Sequence, residues 1–131
     1  MLTRRSFATC ALCALTGFAA TGAEAQSSPI KRTILQRTDG PTPGYETVIA
    51  LIEIEAGADV ARHTHPGLES TFAIEGESTL MIDGQPPRKI GPGDAFQVPA
   101  GVPHAAKNGE KPQRLVGTYT VEKGKPLASP A

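Results

Sequence analysis

Residues 57–76 read GADVARHTHPGLESTFAIEG, and the pair of histidines in this stretch decides which fold and site we expect. His63 and His65 stand two residues apart in a run that predicts a β-strand. Side chains at positions i and i+2 leave the same face of a strand, so both imidazoles can enter one space. The same alternation places Ala61 on the inner face and Arg62 on the outer face.

Two further potential metal ligands lie downstream of this pair. Glu69 follows a turn at residues 66–68 that can bring the next strand back alongside, and His104 starts a later strand after a Gly- and Pro-rich loop. Three imidazoles and one carboxylate that meet inside a barrel would suit a divalent transition metal, namely Fe, Mn, Cu, Ni or Zn. The spacing by itself leaves an alternative open, in which these histidines are exposed or are hydrogen-bonded within the core.

The rest of the chain beyond residue 26 consists of short apolar or alternating runs that are separated by Gly, Pro and Asp. The longest runs are residues 45–55 and 113–122, and Asp83-Gly84 is a strong β-hairpin signal. No helical period is visible. The pattern predicts an all-β sandwich or barrel of about eight to ten strands. Residues 123–131 are polar and contain proline, and we expect a loose tail there.

The first 25 residues are typical of a signal peptide that is cleaved during export. Two arginines precede an uncharged stretch at residues 8–20, and AEA at residues 23–25 is a small-x-small cleavage site. RRSF at residues 4–7 resembles the twin-arginine export signal, and an ordinary secretory signal is the alternative. Both interpretations predict a periplasmic or secreted bacterial protein. The apolar stretch is too short to span a bilayer, so we expect no membrane contact after cleavage.

Composition limits the partners and the sources of stability. The chain has 13 basic and 13 acidic residues, without the basic excess of a nucleic-acid-binding protein. Cys10 and Cys13 both lie in the predicted leader, so the exported chain has no disulfide. A domain of this size then depends on a β core, a metal or oligomerisation. We expect a homodimer that forms through residues 30–36 and 115–121, which would otherwise be unpaired strand edges.

Two spaced motifs in the chain resemble those of the cupin superfamily. The first comprises Gly57, His63-Thr64-His65, Glu69 and Gly76; the second, separated from the first by 16 residues, comprises Gly93, Pro99-Ala100-Gly101, His104 and Asn108. The chain is similar in this respect to the small, single-domain, quercetin-dioxygenase-like bacterial cupins. The resemblance implies a double-stranded β-helix, a jelly-roll-like barrel, over residues 26–122. It also implies that the metal ligands are His63, His65, Glu69 and His104.

The expected site has consequences for function. Four protein ligands leave open positions on a metal that prefers five or six, so the metal could act as a Lewis acid and template for a small oxygen-chelating substrate. The resemblance favours a metal-dependent oxidoreductase of the dioxygenase type. Two alternatives remain: a non-redox isomerase or lyase, and a protein that binds a small molecule or a metal without turnover. The sequence assigns no catalytic residue beyond the ligands.

Four side chains are candidates for the pocket beside the metal: Phe72, Phe96, Gln97 and Tyr119. Phe72 and Phe96 are expected in the core together with Met81 and Val98, and one or two of these side chains could line the pocket. Gln97 could hydrogen-bond a substrate or face solvent. Tyr119 is expected to pack in the core or at its rim with its hydroxyl group satisfied.

Overall fold

A computed structural model describes residues 28–131, and within this range the chain forms ten β-strands and no helix. The strands are β1 (Ile30–Asp39), β2 (Tyr45–Ile54), β3 (Asp59–Thr64), β4 (Gly67–Glu75), β5 (Ser78–Ile82), β6 (Arg88–Ile90), β7 (Ala95–Val98), β8 (His104–Asn108), β9 (Gln113–Glu122) and β10 (Ser129–Pro130). The predicted all-β fold is confirmed. The predicted leader, residues 1–25, lies outside the described residues.

The strands form two antiparallel sheets of five strands each. Sheet A has the order β1-β2-β9-β4-β7, and sheet B has the order β10-β3-β8-β5-β6. The turn at residues 66–68 was expected to place the strand after the histidines beside them, and this is wrong. Gly67 already starts β4, which pairs with β7 and β9 in sheet A, whereas β3 belongs to sheet B. The chain therefore crosses between the layers at this point, and the site can draw on both sheets.

Alternation along the strands places the core between the two sheets. Every second side chain of β2 and of β9 is buried, because successive residues of a strand face opposite sides of the sheet. The inward residues of the two strands are Val48, Ala50, Ile52 and Ile54 on β2 and Gln113, Leu115, Gly117, Tyr119 and Val121 on β9. The two inner faces thus form one apolar interior, and polar side chains within it require an explanation.

Glycines occupy turns next to strands where the backbone has a positive φ. Gly76 ends β4 with a φ of +77°, and a Cβ atom there would lie 2.3 Å from the carbonyl oxygen of Pro112. Gly57, Gly93 and Gly101 also have positive φ. Glycine adopts this conformation without the steric penalty of other residues. The backbone conformation of each turn therefore explains why glycine stands at these motif positions.

Several expectations about placement are wrong. Residues 123–131 do not form a loose tail, because Ser129 and Pro130 pair with β3. Residues 115–121 are not an edge, because β9 pairs with β2 on one side and with β4 on the other. Met81 lies on the outer side of β5 and is 39% exposed. Ala61 is exposed rather than inward, because a register shift between Val60 and His63 interrupts the alternation.

The part of the chain that the structure describes contains no helix long and apolar enough to cross a bilayer.

Candidate metal centre

Three histidines from two parts of sheet B meet at one end of the barrel interior. His63 lies near the end of β3, His65 follows that strand directly, and His104 starts β8 opposite His63. The ring centroids of His63 and His104 are 4.1 Å apart, and those of His65 and His104 are 5.0 Å apart. One nitrogen from each ring lies within 4.8 Å of the others. This spacing is compatible with three imidazoles on one ion.

Glu69 reaches the same point from the opposite sheet. Its Oε2 atom lies 3.1 Å from Nε2 of His65 and 3.0 Å from Nε2 of His104. The hydroxyl group of Thr71 donates a hydrogen bond of 2.7 Å to the other carboxylate oxygen, Oε1. Glu69 and Thr71 are both inward residues of β4, two positions apart. The cluster therefore joins the two sheets.

Backbone carbonyl groups hold the three imidazole rings in place. Nδ1 of His63 lies 2.7 Å from the carbonyl oxygen of Ala61, Nδ1 of His65 lies 2.6 Å from that of Leu127, and Nδ1 of His104 lies 3.0 Å from that of Val102. A carbonyl oxygen only accepts, so each Nδ1 carries the proton. Each Nε2 therefore presents a lone pair, as a metal-binding imidazole does.

The donor atoms fit a metal ion better than they fit one another. Nε2 of His65, Nε2 of His104 and Oε2 of Glu69 are buried and lack a hydrogen-bond partner of acceptable geometry, although they lie close together. Buried polar atoms without a partner are costly, and a cation among these lone pairs would satisfy all of them. The separations are also compatible with metal–nitrogen and metal–oxygen bonds of about 2.0–2.2 Å. The residues present therefore fit a divalent transition metal.

The electrostatics of the cluster give Glu69 a negative charge. Burial opposes ionisation, but when Nε2 of His104 or His65 carries a proton in place of a metal, this proton and the Thr71 hydrogen bond outweigh burial and hold the pKa of Glu69 far below its usual value. Burial also lowers the pKa of His63, which favours the neutral ring. For His104 burial acts in the same direction, but the Glu69 carboxylate outweighs it and raises the pKa.

A small cavity of about 60 Å³ opens beside the cluster between the two sheets. His63, Glu69 and His104 line one part of it, and most of its wall is apolar. Tyr119, fully buried, lies against it with its ring centroid 4.9 Å from that of His65. Gly117 makes room for this ring, since a Cβ atom there would lie 2.9 Å from the Tyr119 ring. Burial first, and then the charge of Glu69, raise the pKa of Tyr119, so the phenol keeps its proton.

The structure brings together the four residues proposed as ligands, His63, His65, Glu69 and His104, but only part of the expected pocket. Tyr119 and Phe96 line the cavity. Phe72 and Gln97 do not, and their placement in the pocket is wrong. Phe72 alternates with the inward residues of β4 and is 50% exposed. Gln97 is exposed on β7 and donates a hydrogen bond of 3.0 Å to the Ser70 hydroxyl group. The expectation that Phe72 lies in the core is also wrong, because its side chain is on the outer face of β4.

Four functional positions were missed. Thr71 could have been found, because it stands two residues after Glu69 and therefore shares its face. Arg32 and Gln113 also line the cavity, and Gln113 is 1% exposed with both polar side-chain atoms unpartnered. Nothing in the sequence shows that their strands border this interior. Leu127 contacts His65 through its backbone carbonyl oxygen, so its residue type gives no indication of this role.

Comparison with known proteins identifies the class. Residues 50–122 match the model of the cupin domain family, and this segment includes all four clustered residues. The chain therefore belongs to the cupin family. Among characterised proteins, the dimethylsulfoniopropionate lyase DddQ of Ruegeria pomeroyi is 34% identical over 73 residues. The match covers 56% of this chain but only 36% of DddQ, so the chain spans about a third of that relative's length.

Solved structures show the same fold. The crystal structure of the Ruegeria pomeroyi DddQ superposes with a TM-score of 0.67 at 23% identity and covers 79% of this chain and 52% of that one. KdgF from Halomonas sp. gives a TM-score of 0.62 at 20% identity, over 75% of this chain and 85% of that one. A cupin-like protein from Thermotoga maritima gives 0.61 at 20% identity, over 78% and 75%.

Proposed function

We propose that this cupin is a metal-dependent, non-redox lyase that eliminates a leaving group from a short carboxylate of the dimethylsulfoniopropionate type. The observation that carries the proposal is the 34% identity to a lyase of that substrate, together with a buried three-histidine, one-glutamate cluster. An expectation of dioxygenase activity came from the resemblance to quercetin-dioxygenase-like cupins. None of the relatives described above supports it, and it remains an untested prediction.

The residues that would hold the metal are His63, His65, Glu69 and His104. When bound, a divalent transition metal supplies a Lewis acid that draws charge from a substrate oxygen. The carbonyl groups behind each imidazole keep the rings oriented without the metal. The Thr71 hydroxyl group does the same for the carboxylate of Glu69. This preorganisation supports binding of one ion in a defined geometry.

The cavity suits elimination from a small molecule. Elimination from a β-sulfonio carboxylate transfers a proton from the carbon next to the carboxylate to a base, while the bond from the following carbon to sulfur breaks and releases a neutral sulfide. A carbon–carbon double bond forms, and no oxidant is consumed. The cavity is small, about 60 Å³, and its largely apolar wall limits contact with bulk water, which suits a short substrate. The protonated Tyr119 can donate a hydrogen bond to a substrate oxygen.

The test is a metal-resolved turnover assay on the exported protein. The protein is loaded separately with Zn, Fe, Mn, Cu and Ni and mixed with dimethylsulfoniopropionate; released dimethyl sulfide and acrylate are measured by gas and liquid chromatography. Dissolved oxygen is recorded at the same time. We expect equimolar sulfide and acrylate, no oxygen uptake, and loss of at least 100-fold in rate in His104→Ala, because one ligand of the metal is gone.

Lys107→Ala is the matched control, since Lys107 is an exposed residue of the same strand, β8. It should retain the wild-type rate. Oxygen uptake without sulfide release would overturn the lyase proposal in favour of the oxidoreductase. Absence of turnover in protein with one metal per chain would favour a binding protein.

We also propose export by residues 1–25 to the periplasm or beyond, and assembly as a homodimer. The first rests on the sequence of the leader. The homodimer proposal rests on two features. β1 is an edge strand of sheet A and pairs only with β2 among the described strands, and several apolar side chains are exposed on the outside of the barrel.

A further inference from the structure

The N-terminal strand places one cation on the inner face of the barrel. In the register of β1 with β2, Ile30 faces Ile54 and Arg32 faces Ile52. Residues directly opposite each other in an antiparallel pair share a face of the sheet. Ile52 and Ile54 point into the core, so Arg32 also projects inward. Arg32 is exposed and also lines the cavity, so its guanidinium group lies at the cavity mouth, in contact with solvent.

Arg32 is the sole lysine or arginine that lines the metal-side cavity within residues 28–131. Its guanidinium carbon lies 5.8 Å from the centroid of the Tyr119 ring, so it lies over the aromatic face. Such a cation–π contact restrains the plane of the guanidinium group. The side chain therefore stands beside the ring that forms the wall next to His65.

Arg32 differs from other arginines of the molecule in its partners. Arg37, Arg62 and Arg114 each lie against a carboxylate on the surface, and Arg88 donates to the carbonyl oxygen of Ala95. Arg32 forms no ion pair with any carboxylate in the described part of the chain. The acidic residue that lines the same cavity, Glu69, is occupied by two histidines and Thr71. A planar cation that forms no ion pair, at the mouth of an apolar cavity, is suited to a carboxylate, which it can bind through two parallel hydrogen bonds.

We propose that Arg32 forms an anion subsite that binds the carboxylate of a short aliphatic acid and sets the orientation of its carbon chain in the cavity. The substrate class rests on the proposed lyase function, whereas the subsite itself rests on the position of Arg32. Recognition through Arg32 directs the apolar chain of the acid toward the interior and away from solvent.

Binding of a matched pair of probes tests the subsite without turnover. Propionate and propionamide have nearly the same shape and differ in charge. Their dissociation constants are measured by titration calorimetry on the zinc-loaded protein, for wild type and for Arg32→Gln, Arg32→Lys and Lys31→Gln. Lys31 is the control, because it is the neighbouring residue on the outer face and pairs with Glu53 at 3.8 Å. Thermal unfolding of each variant verifies that it is folded.

We expect wild type and Lys31→Gln to prefer propionate by about tenfold or more, the scale of a charge-assisted hydrogen bond. Arg32→Gln should lose this preference, and Arg32→Lys should keep a part of it. An unchanged preference in Arg32→Gln would overturn the proposal, since the metal would then hold the carboxylate. An equal loss in Lys31→Gln would also overturn it, because general surface charge would explain the effect.

The outcomes separate this proposal from the lyase function. If Arg32→Gln loses propionate but wild type does not cleave dimethylsulfoniopropionate, the subsite stands and the lyase proposal fails. If wild type cleaves the substrate and Arg32→Gln shows the same KM, the lyase proposal stands and the subsite is overturned. If both hold, Arg32→Gln should raise KM for dimethylsulfoniopropionate by about tenfold, the same charge-assisted contribution.

Discussion

At the scale of single residues, the geometry of the cluster depends on the hydrogen-bond partners of its four side chains. Three backbone carbonyl oxygens direct the lone pairs of His63, His65 and His104 to one point. The Thr71 hydroxyl group holds the carboxylate that faces them. The ligand residues follow from the motif spacing, but their orientation depends on these partners. Partners of this kind commonly change metal affinity by about 10–100-fold.

Thr71→Val tests this orientation directly. Valine keeps the shape of threonine and removes the hydrogen bond to Oε1 of Glu69. We expect zinc affinity, measured by competition with a chelating dye, to fall about tenfold while the fold is retained. Thr118→Val is the control, because Thr118 lies on the other side of sheet A, beside Phe72 and Gln97. Equal affinities for wild type and Thr71→Val would show that Glu69 needs no support.

At the scale of elements, the C-terminal segment at residues 123–131 supports His65, a buried histidine of the cluster. Residues 123–131 have the polar, proline-containing composition of a tail. In the structure Ser129 and Pro130 pair with Thr64 and His63, and the carbonyl oxygen of Leu127 accepts from Nδ1 of His65. The amide of Ala131 also donates to the carbonyl oxygen of Arg62. The C-terminal segment thus holds β3 and its histidines in position.

Removal of residues 127–131 should therefore weaken metal binding more than it weakens the fold. We expect zinc affinity to fall at least about tenfold, because His65 loses its hydrogen-bond acceptor and β3 loses its partner strand. The free energy of unfolding without metal should fall less than the affinity does, since the buried core lies between the two sheets and of the removed residues only Leu127 packs against it. Chelator competition and denaturant unfolding measure the two quantities.

Lys125→Ala is the matched control for the truncation, because it alters an exposed residue of the same segment and leaves the backbone contacts intact. It should bind zinc as wild type does. A truncated protein that binds zinc equally well would show that the segment only covers the surface.

At the scale of the whole molecule, the outer surface carries exposed apolar side chains that do not contribute to the core. Leu68, Phe72 and Ile74 alternate along the outer face of β4, and each is exposed. Ile34 and Leu35 are exposed on the edge strand β1, at the register shift in its pairing with β2. Exposed apolar side chains on one face of a strand are candidates for an interface. They support the predicted homodimer and offer two places where the copies could meet.

Light scattering after size exclusion should give twice the chain mass at micromolar concentration. Phe72→Glu should yield a monomer if the outer face of sheet A forms the interface, because a buried unpaired charge is costly. Leu35→Glu should do so if the edge of β1 forms it. A wild-type monomer would contradict the predicted dimer.

Much of the fold was predictable because alternation and turns are local properties. Asp83-Gly84, the motif glycines and the runs of β2 and β9 each specify structure through their own neighbours. The wrong predictions concern relations between distant segments. Phe72 was expected inside because it is large and apolar, yet its parity with Glu69 places it outside. Gln97 faces Ser70 for a similar reason, on the outer side of β7 and β4.

The sequence by itself determined the all-β class and the family, because these depend on residue order and spacing; by the same spacing it named the four clustered residues. Only the tertiary structure decided that Glu69 comes from the opposite sheet, that Arg32 lines the cavity and that Leu127 supports His65. The contact between Leu127 and His65, for example, joins residues 62 positions apart. The stacking of the two sheets and the register of each strand pair decide which distant residues come into contact. No local sequence pattern encodes either property.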